Sequence, residues 1–398
     1  MMDWNTFWPL SVAMGIVLAV VPIAGLYMTF IERKLAALIQ NRVGPNRVGP
    51  AGLFQAIADG IKIFLKEQVI PDHVFKPVYV LAPTIGLICA MLSIAVVPFG
   101  PTPTEPPTGF RAIIAPGVDI GLLFLLAISG LSAYGIILGG WASNNKYSLY
   151  GAIRSCAQFI SYEIPLGLSV IGVIAAAGSL NIEQIVAAQG PGLASWNVWW
   201  QPLAAIIFFT SALAETNRLP FDLPECEQEL VGGFHTEYSG IKFVLFFLAE
   251  YTHVVTVSFL TVLLFFGGWH FPGLDVDTGS TLTAYAIRWC VLLAKVALVV
   301  GFIMQLRWTL PRFRFDQLMG VAWKALIPLG MLNLAALAVV LTLDISRWWL
   351  AGISLFLLIA AGMLNVSVSK DRIEGRSTSS ASRTRSSSPK EQWEGSRS

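Results

Sequence analysis

The sequence predicts an all-α integral membrane protein with about eight to nine transmembrane helices. Hydrophobic residues make up 55% of the 398 residues, charged residues only 13%, and the mean hydropathy is +0.67. A soluble domain carries about 25% charged residues, which it needs to cover its surface. The apolar residues also gather in runs of about 20, the length that an α-helix needs to cross a bilayer core of about 30 Å.

Each predicted span is an apolar run that ends at polar or turn-forming residues. A helix is expected for each run because backbone groups in lipid must form their hydrogen bonds within the segment. The fifth run is short and lies next to Trp196, Trp199 and Trp200, and tryptophan is common at membrane interfaces. The predicted spans cover residues 10–30, 78–97, 117–140, 156–177, 203–213, 243–266, 287–306, 325–343 and 348–366.

Positive charge concentrates in alternate loops. The loops of one parity carry most of the lysines and arginines, whereas those of the other parity offer only Arg111, Arg288 and Arg347. The positive-inside rule therefore predicts an N-terminus outside and a cytoplasmic C-terminal tail. We divide the chain into a membrane domain, residues 1–366, and a Ser- and Arg-rich tail, residues 367–398, which has little to bury and is expected to be disordered.

Several classes of protein are disfavoured by composition. The four cysteines, Cys89, Cys156, Cys226 and Cys290, lie far apart, whereas an Fe–S cluster needs grouped thiolates. Only His253 falls within a span, so paired axial haem ligands are lacking. We expect no metal, Fe–S cluster, flavin or haem in this chain. The net charge of +2, without a basic patch, predicts no nucleic-acid partner.

The first cytoplasmic loop, residues 31–77, contains an amphipathic segment. In residues 49–67, GPAGLFQAIADGIKIFLKE, the apolar residues recur at helical spacing and the polar residues occupy other faces. This pattern predicts a helix that lies at the membrane interface. It is either a plain anchor or one wall of an opening for a membrane-soluble substrate.

Ionisable residues inside the spans are more informative. Glu163, Glu250 and Lys295 lie within predicted spans, and Glu215 ends the fifth. A charge at the centre of a bilayer costs roughly 2.5–3.5 kcal/mol on insertion scales, so each group should face a partner or water. A single such residue is compatible with a structural role, but several together favour a path for protons or ions.

The densest acidic cluster lies in the third cytoplasmic loop, residues 214–242. Its first 27 residues, 214–240, carry six acids and only Arg218 as a cation. A solvated acidic loop is one interpretation, although the other cytoplasmic loops are basic. A polar funnel that leads to the acids in the spans fits better. The six acids are Glu215, Asp222, Glu225, Glu227, Glu229 and Glu237.

These segments carry a family resemblance. ERKLAALIQNRVGPNRVGPAGLFQAIADGIKIFLKE (32–67) and AETNRLPFDLPECEQELVGGFHTEY (214–238) resemble the two signature regions of one membrane protein of respiratory complex I, the proton-translocating NADH:quinone oxidoreductase. That protein is the quinone-site membrane subunit, called H in bacteria. SYEIPLG, FLAEYTH and LPRFRFDQLMGVAWK match further blocks of it in the same order. The resemblance runs from about the first span to the eighth.

The resemblance implies a heel-like subunit of the bacterial cytoplasmic (inner) membrane. With two hydrophilic subunits it would form a long chamber for a quinone, ubiquinone or menaquinone, as substrate. Electrons would arrive from a terminal Fe–S cluster on a partner chain. Small membrane subunits, antiporter-like subunits and membrane lipid are the other implied partners.

The resemblance also implies roles for residues at matching positions. Arg312, Arg314 and Asp316 are expected to brace a cytoplasmic loop against partners. Residues of the quinone chamber or its mouth are Glu32, Arg33, Arg42, Asp59, Glu225 and Glu227. Residues of proton coupling are Arg154, Glu163, Glu215, Asp222, Glu229, Glu250 and Lys295.

Two other functions stay open at this stage. A secondary transporter would show inverted repeats around a midplane site, and no repeat is visible. A related membrane subunit of hydrogenase-type complexes shares the implied fold but need not reduce quinone. The uninterrupted block PFDLPECEQELVGGFHTEY favours the quinone enzyme.

Overall fold

A computed structural model describes residues 4–100, 118–190, 192–273 and 282–363. These residues form α-helices that are joined by turns and loops, and no strand occurs among them. The all-α prediction is confirmed for this part of the chain. The predicted disordered tail and most of the loop between the second and third spans lie outside the described residues.

Fourteen helices can be named in the described ranges. A π-helical turn, Ala322–Leu326, joins α12 to α13, so that the two form one continuous helix, Phe315–Thr342. The helices are α1 Trp4–Ile39, α2 Gln55–Phe64, α3 Lys76–Ala95, α4 Gly121–Ala142, α5 Lys146–Ala177, α6 Ile182–Gln189, α7 Asn197–Trp200, α8 Pro202–Glu215, α9 Glu227–Leu230, α10 Gly240–Phe265, α11 Leu282–Thr309, α12 Phe315–Val321, α13 Ile327–Thr342 and α14 Trp348–Met363.

Six helices in the described ranges are long and apolar enough to cross a membrane: α3, α4, α5, α10, α11 and the joined α12–α13. The apolar helices α8 and α14 are shorter. The first predicted span lies within α1, which is 36 residues long. These features support an integral membrane protein, and the count of eight to nine crossings stays a prediction.

Two helices begin ten residues earlier than predicted. α5 begins at Lys146 instead of 156, because the Asn145 side chain accepts a hydrogen bond from the backbone N–H of Tyr147 at 3.0 Å and caps the helix there. The helix that contains α12 begins at Phe315 instead of 325. The predicted bounds followed the apolar runs, whereas the helices continue into polar sequence. Arg154, expected in a loop, therefore lies on α5.

The short helix α6 was not anticipated. The Asn181 side chain accepts a hydrogen bond from the N–H of Glu183 at 3.0 Å, which caps its first turn. At its other end the buried Gln189 donates to the carbonyl of Leu263 at 2.8 Å and accepts from the N–H of Gly267 at 2.9 Å. The Gln189 side chain thus ties α6 to the C-terminal end of α10.

α2 occupies the predicted amphipathic segment. It contacts α1 and α10, and Ala56 is its buried residue. Its apolar residues Ile57, Ile61 and Phe64 are exposed, as are Leu53 and Phe54 just before it. An exposed apolar face of this kind suits a helix that lies on a lipid surface. The position of α2 at the membrane interface stays a prediction.

α10 lies at the centre of the structure. In its most apolar 18-residue stretch 61% of residues are buried, against 22% for the corresponding stretch of α11. It packs against α1, α3 and α11, while α4 packs between α3 and α5. Side chains of α10 therefore have protein on most sides, and a polar group on this helix must find a partner within the protein.

Small residues allow α3 and α4 to approach closely. A Cβ atom placed on Gly135 of α4 would lie 2.9 Å from the backbone N of Gly86 and 3.0 Å from the carbonyl O of Ala82. Both of these atoms belong to the backbone of α3, which cannot move aside as a flexible side chain can. Close approach over small residues is a common way for helices to pack in membranes.

Gly135→Ala is expected to lower the free energy of unfolding by about 1–3 kcal/mol, the usual cost of overpacking. Gly167→Ala is the matched control, since a Cβ atom on Gly167 of α5 would meet no atom within 4 Å. Unfolding by SDS in detergent micelles measures both. Equal stability of the two variants would show that the α3–α4 contact is not tight.

Candidate functional site

The acidic loop between α8 and α10 folds into the protein. Its apolar residues Phe221, Leu223, Leu230 and Phe234 are 7%, 2%, 5% and 1% exposed. Burial of these side chains anchors the backbone that carries the acids. The loop is therefore an interior element, and the interpretation of it as a solvated acidic loop does not fit.

Gln158 of α5 holds the start of this loop. Its side chain is fully buried, and Nε2 donates to the carbonyl of Ala214 at 2.8 Å and to that of Phe221 at 2.9 Å. The Asn217 side chain oxygen lies 3.3 Å from the same nitrogen. One amide group thus fixes the loop at both ends of its first turn.

Glu32 of α1 is the centre of a buried charged cluster. The Tyr251 hydroxyl donates to Glu32 Oε2 at 2.5 Å, and Arg307 forms an ion pair with Oε1. Arg218 Nη1 lies 3.6 Å from Oε2, and its guanidinium lies 4.0 Å from the centre of the Tyr251 ring. The carboxylate is 7% exposed, so these two cations and one hydroxyl replace its hydration.

A pocket adjoins this cluster and will be called the mouth cavity; it spans about 270 Å³ of space not filled by atoms, part of which is open to the outside. Its apolar walls are Met28, Val254, Ile303 and Met304, and its polar lining is the Glu32 cluster just described. Apolar walls with a few polar groups suit an apolar ligand that carries a polar head. In the described part of the chain, no three metal-ligating side chains stand close enough to hold a metal ion.

Asp222 pairs with Arg312 at the base of the acidic loop. Arg312 Nη2 lies 3.0 Å from Asp222 Oδ2, and Nη1 donates to Cys226 Sγ at 3.2 Å. Burial and the nearby carboxyl group of Glu225 raise the pKa of Asp222 to about 7, even though Arg312 acts in the opposite direction. This carboxyl group is therefore placed to exchange a proton near neutral pH.

Glu250 of α10 connects the loop with the membrane helices. Its carboxyl group is within hydrogen-bond reach of Glu225, and Arg218 and Asp222 are its other charged neighbours. Two carboxyl groups that share a hydrogen bond need a proton between them, since ionised carboxylates only accept. An acid from the cytoplasmic loop and an acid from a span are thus in direct contact.

A second cavity encloses about 380 Å³ of space not filled by atoms, and it will be called the carboxyl cavity. Glu215 and Glu250 both line it. Phe159, Phe234 and Phe246 contribute apolar wall. The other polar lining residues are Ser132, Thr216, Asn217 and His253. These polar side chains offer hydrogen-bond partners to a water molecule in an otherwise apolar cavity.

Glu163 of α5 lies beyond Glu215. The Glu215 carboxyl group lies near the hydroxyl of Ser129, which donates to the carbonyl of Leu126 at 3.0 Å, and it has Glu163 as a neighbouring charge. A Cβ atom on Gly130 of α4 would lie 2.6 Å from Glu163 Oε1, so glycine leaves the space that this carboxyl group occupies. The acids thus follow one another from the loop into the membrane helices.

Arg154 and Glu229 form a more exposed pair. Their side chains lie 2.5 Å apart and are 30% and 51% exposed. Lys295 is placed elsewhere, where its ammonium donates to the carbonyls of Phe266, Gly268 and His270 at 2.8, 3.0 and 2.6 Å. Lys295 thus binds backbone just past the end of α10, and its coupling role stays a prediction.

The predicted site residues of the first loop also make separate contacts and do not form one cluster. Arg33 of α1 and Asp59 of α2 lie 2.6 Å apart and join the two helices. Arg42 donates to Gln40 Oε1 at 2.7 Å on the exposed surface. The side chain of Glu227 lies outside the described part of the structure. Arg314 and Asp316 are exposed.

Three important residues of the site were missed by sequence reasoning. Gln158 gives no signal in sequence, because a buried glutamine in an apolar helix has no fixed partner type. Arg307 was counted only as a loop charge that sets orientation. Tyr251 follows Glu250 directly in FLAEYTH, and its position beside an intramembrane acid is a signal that a polar partner is near.

Comparisons with known proteins show the family to which this chain belongs. The sequence pattern of the family described as NADH dehydrogenase matches residues 12–338. NADH-quinone oxidoreductase subunit 8 of Rhodothermus marinus is 45% identical over 349 residues, which cover 85% of this chain and 98% of that protein.

Two further relatives are H subunits of NADH-quinone oxidoreductases. The one from Leptospira biflexa is 47% identical over 340 residues, 83% of this chain and 94% of that protein. The one from Protochlamydia amoebophila is 49% identical over 311 residues, 78% and 91% of the two chains. The chain therefore belongs to the NADH dehydrogenase family, that of the complex I membrane subunit called H in bacteria.

Proposed function

We propose that the chain is the quinone-site membrane subunit of a proton-pumping NADH-quinone oxidoreductase. It forms much of the quinone chamber and couples quinone reduction to proton translocation through buried carboxyl groups. The contact between Glu225 of the acidic loop and Glu250 of α10 carries this proposal. Through it, a change of charge near the loop acts directly on an acid within the membrane helices.

The mouth cavity is the part of the chamber that this chain supplies most clearly. Its apolar walls suit the isoprenoid part of a quinone, and Tyr251 and the arginines around Glu32 suit its carbonyl oxygens. α2 stands beside α1 and presents apolar residues outward, as a wall at an opening to lipid would. Partner subunits complete the chamber and carry the terminal Fe–S cluster, since the electrons arrive from outside this chain.

Coupling follows from the cost of charge in an apolar site. Reduction of a quinone takes two electrons and two protons, and the dianion is too costly to persist where water is excluded. Protons therefore come from nearby groups, and their removal leaves uncompensated charge. The acidic loop responds to this charge at Asp222 and Glu225. Glu250, Glu215 and Glu163 then change protonation in turn, which signals to antiporter-like subunits.

Glu163→Gln is expected to lower NADH:quinone turnover several-fold in the assembled enzyme, because an amide cannot exchange the proton. NADH oxidation by a soluble artificial acceptor should stay unchanged, since that reaction does not involve this chain. Glu67→Gln is the control, because Glu67 is an exposed acid of the first cytoplasmic loop. If Glu163→Gln and Glu67→Gln both kept full quinone turnover, the coupling role would be wrong.

We expect the Asp222–Arg312 pair to set one limb of the pH profile of quinone turnover, that is, a pH range over which the rate rises or falls. Since the pKa of Asp222 is about 7, its carboxyl group is mostly neutral below that pH and ionised above it. Asp222→Asn should remove a limb of quinone turnover near pH 7. Arg312→Gln removes a cation that lowers the pKa, so the limb should move to higher pH.

Arg314→Gln controls for loss of a positive charge from the same loop, because Arg314 is exposed and apart from Asp222. Initial rates of NADH:quinone reduction across pH measure all three variants. A wild-type limb that persisted unchanged in Asp222→Asn would assign it to another group.

Photo-crosslinking tests the chamber directly. A quinone with an azido group on its head is expected to label residues around the mouth cavity in the assembled complex, and excess unlabelled quinone should suppress the labelling. Peptide mapping by mass spectrometry locates the adduct. Labelling confined to other chains would contradict the mouth cavity as part of the chamber. A membrane subunit of a hydrogenase-type complex would give no quinone-protected label.

A further inference from the structure

His253 is a buried ionisable residue that the proposed coupling does not use. It lies on α10, is 7% exposed and lines the carboxyl cavity with Glu215 and Glu250. Its Nε2 lies 3.1 Å from the hydroxyl oxygen of Ser132 on α4. A histidine at this place needs an explanation, because a buried polar ring requires partners for both of its nitrogens.

The Ser132 contact fixes the tautomer of the ring. The Ser132 hydroxyl donates to the carbonyl of Ser129 at 2.6 Å. A hydroxyl has one proton, so Ser132 Oγ accepts in its contact with the ring. Nε2 of His253 therefore carries the proton and donates to Ser132. In the neutral ring the other nitrogen, Nδ1, is then an acceptor.

Nδ1 has no hydrogen-bond donor among the described residues. A ring acceptor without a protein donor is satisfied when a water molecule reaches it. The ring lines the carboxyl cavity together with two carboxyl groups, and a buried water molecule usually makes two to four hydrogen bonds. A water molecule that donates to Nδ1 and contacts a cavity carboxyl group satisfies all of these requirements.

The cavity also separates two groups of acids. The charged neighbours of Glu250 are Glu225, Arg218 and Asp222 on the loop side, whereas Glu215 has Glu163 as its neighbour. Glu250 and His253 are three residues apart on α10, so they share one face of the helix. A proton that passes from one group of acids to the other must cross the space that this face borders.

We propose that His253 is a positioning residue whose Nδ1 orients water in the carboxyl cavity, so that the water joins Glu250 to Glu215. This proposal rests on the proposed function. The proton moves from a carboxylic acid to water and from water to a carboxylate. The ring accepts a hydrogen bond throughout and does not itself take up the proton.

Two substitutions test the roles of the two ring nitrogens separately. In His253→Asn the amide oxygen replaces the acceptor near the position of Nδ1. In His253→Gln the amide nitrogen reaches Ser132 in place of Nε2, and the acceptor at Nδ1 is lost. His253→Asn is expected to keep most quinone turnover. His253→Gln is expected to lose it several-fold with an unchanged KM for quinone.

An infrared readout is independent of turnover. The carboxyl stretching band that Glu250→Gln removes should shift in His253→Gln and stay in place in His253→Asn, because the band reports the hydrogen bonds of the acid. Ser258→Ala is the control, since the Ser258 hydroxyl is buried on the same helix and donates to the carbonyl of Val254 at 2.7 Å. It should change neither turnover nor band.

The possible failures are distinguishable. Equal turnover and equal bands in His253→Asn and His253→Gln would overturn the role of Nδ1 while leaving the function intact, provided that Glu250→Gln lowers turnover. If Glu250→Gln had no effect, the proposed function itself would fail. Oxidation of NADH by an artificial acceptor reports the amount of assembled enzyme for every variant.

A measurement on the unmodified enzyme tests the proposal without relying on the variants to fold. Magnetic resonance of isotope-labelled histidine in the assembled complex is expected to show the tautomer with the proton on Nε2 and a hydrogen-bonded Nδ1. The His253 signal is assigned by its absence from His253→Asn. A proton on Nδ1 would overturn the proposal.

Discussion

The energetic cost of charge in an apolar interior governs the whole site. An isolated ion loses its hydration there, so it persists only beside opposite charge, with hydrogen-bond donors, or in a neutral form. Glu32 lies beside opposite charge and a hydrogen-bond donor, because Arg307, Arg218 and Tyr251 surround it. Glu250 and Glu215, by contrast, have mostly other acids as charged neighbours. In the proposed function, the cluster around Glu32 therefore keeps a fixed charge, and the acids around the carboxyl cavity exchange protons.

α10 supplies both environments from one short segment. Successive residues on an α-helix are rotated by about 100°, so neighbours in sequence face different surroundings. Glu250 faces the carboxyl cavity, and Tyr251 belongs to the cluster around Glu32. His253 returns to the face of Glu250. The motif FLAEYTH thus contributes residues both to the cluster around Glu32 and to the carboxyl cavity, the two sites that the proposed function assigns to quinone and to protons.

The sequence alone predicted the fold class and which acids are unusual. Apolar runs locate helices because lipid leaves the backbone no other partner, and an acid within such a run is conspicuous by its cost. The first residues of the helices were harder to predict. α5 begins after the cap Asn145, in polar sequence that precedes its apolar run, so the apolar run alone does not show where the helix begins. The pairing of Glu32 with Arg307 joins residues 275 apart in sequence, and no local pattern encodes it. For the same reason Lys295 was grouped with the acids, although its hydrogen bonds go to the end of α10.

The amide of Gln158 has a mechanical consequence for the acidic loop. Its nitrogen binds the carbonyls of Ala214 and Phe221 together, so a displacement of the loop lengthens both bonds at once. Displacement of the loop must release the two carbonyls as a unit. If the loop senses charge near the substrate, as the proposed function requires, it therefore changes position in one step, when both hydrogen bonds break.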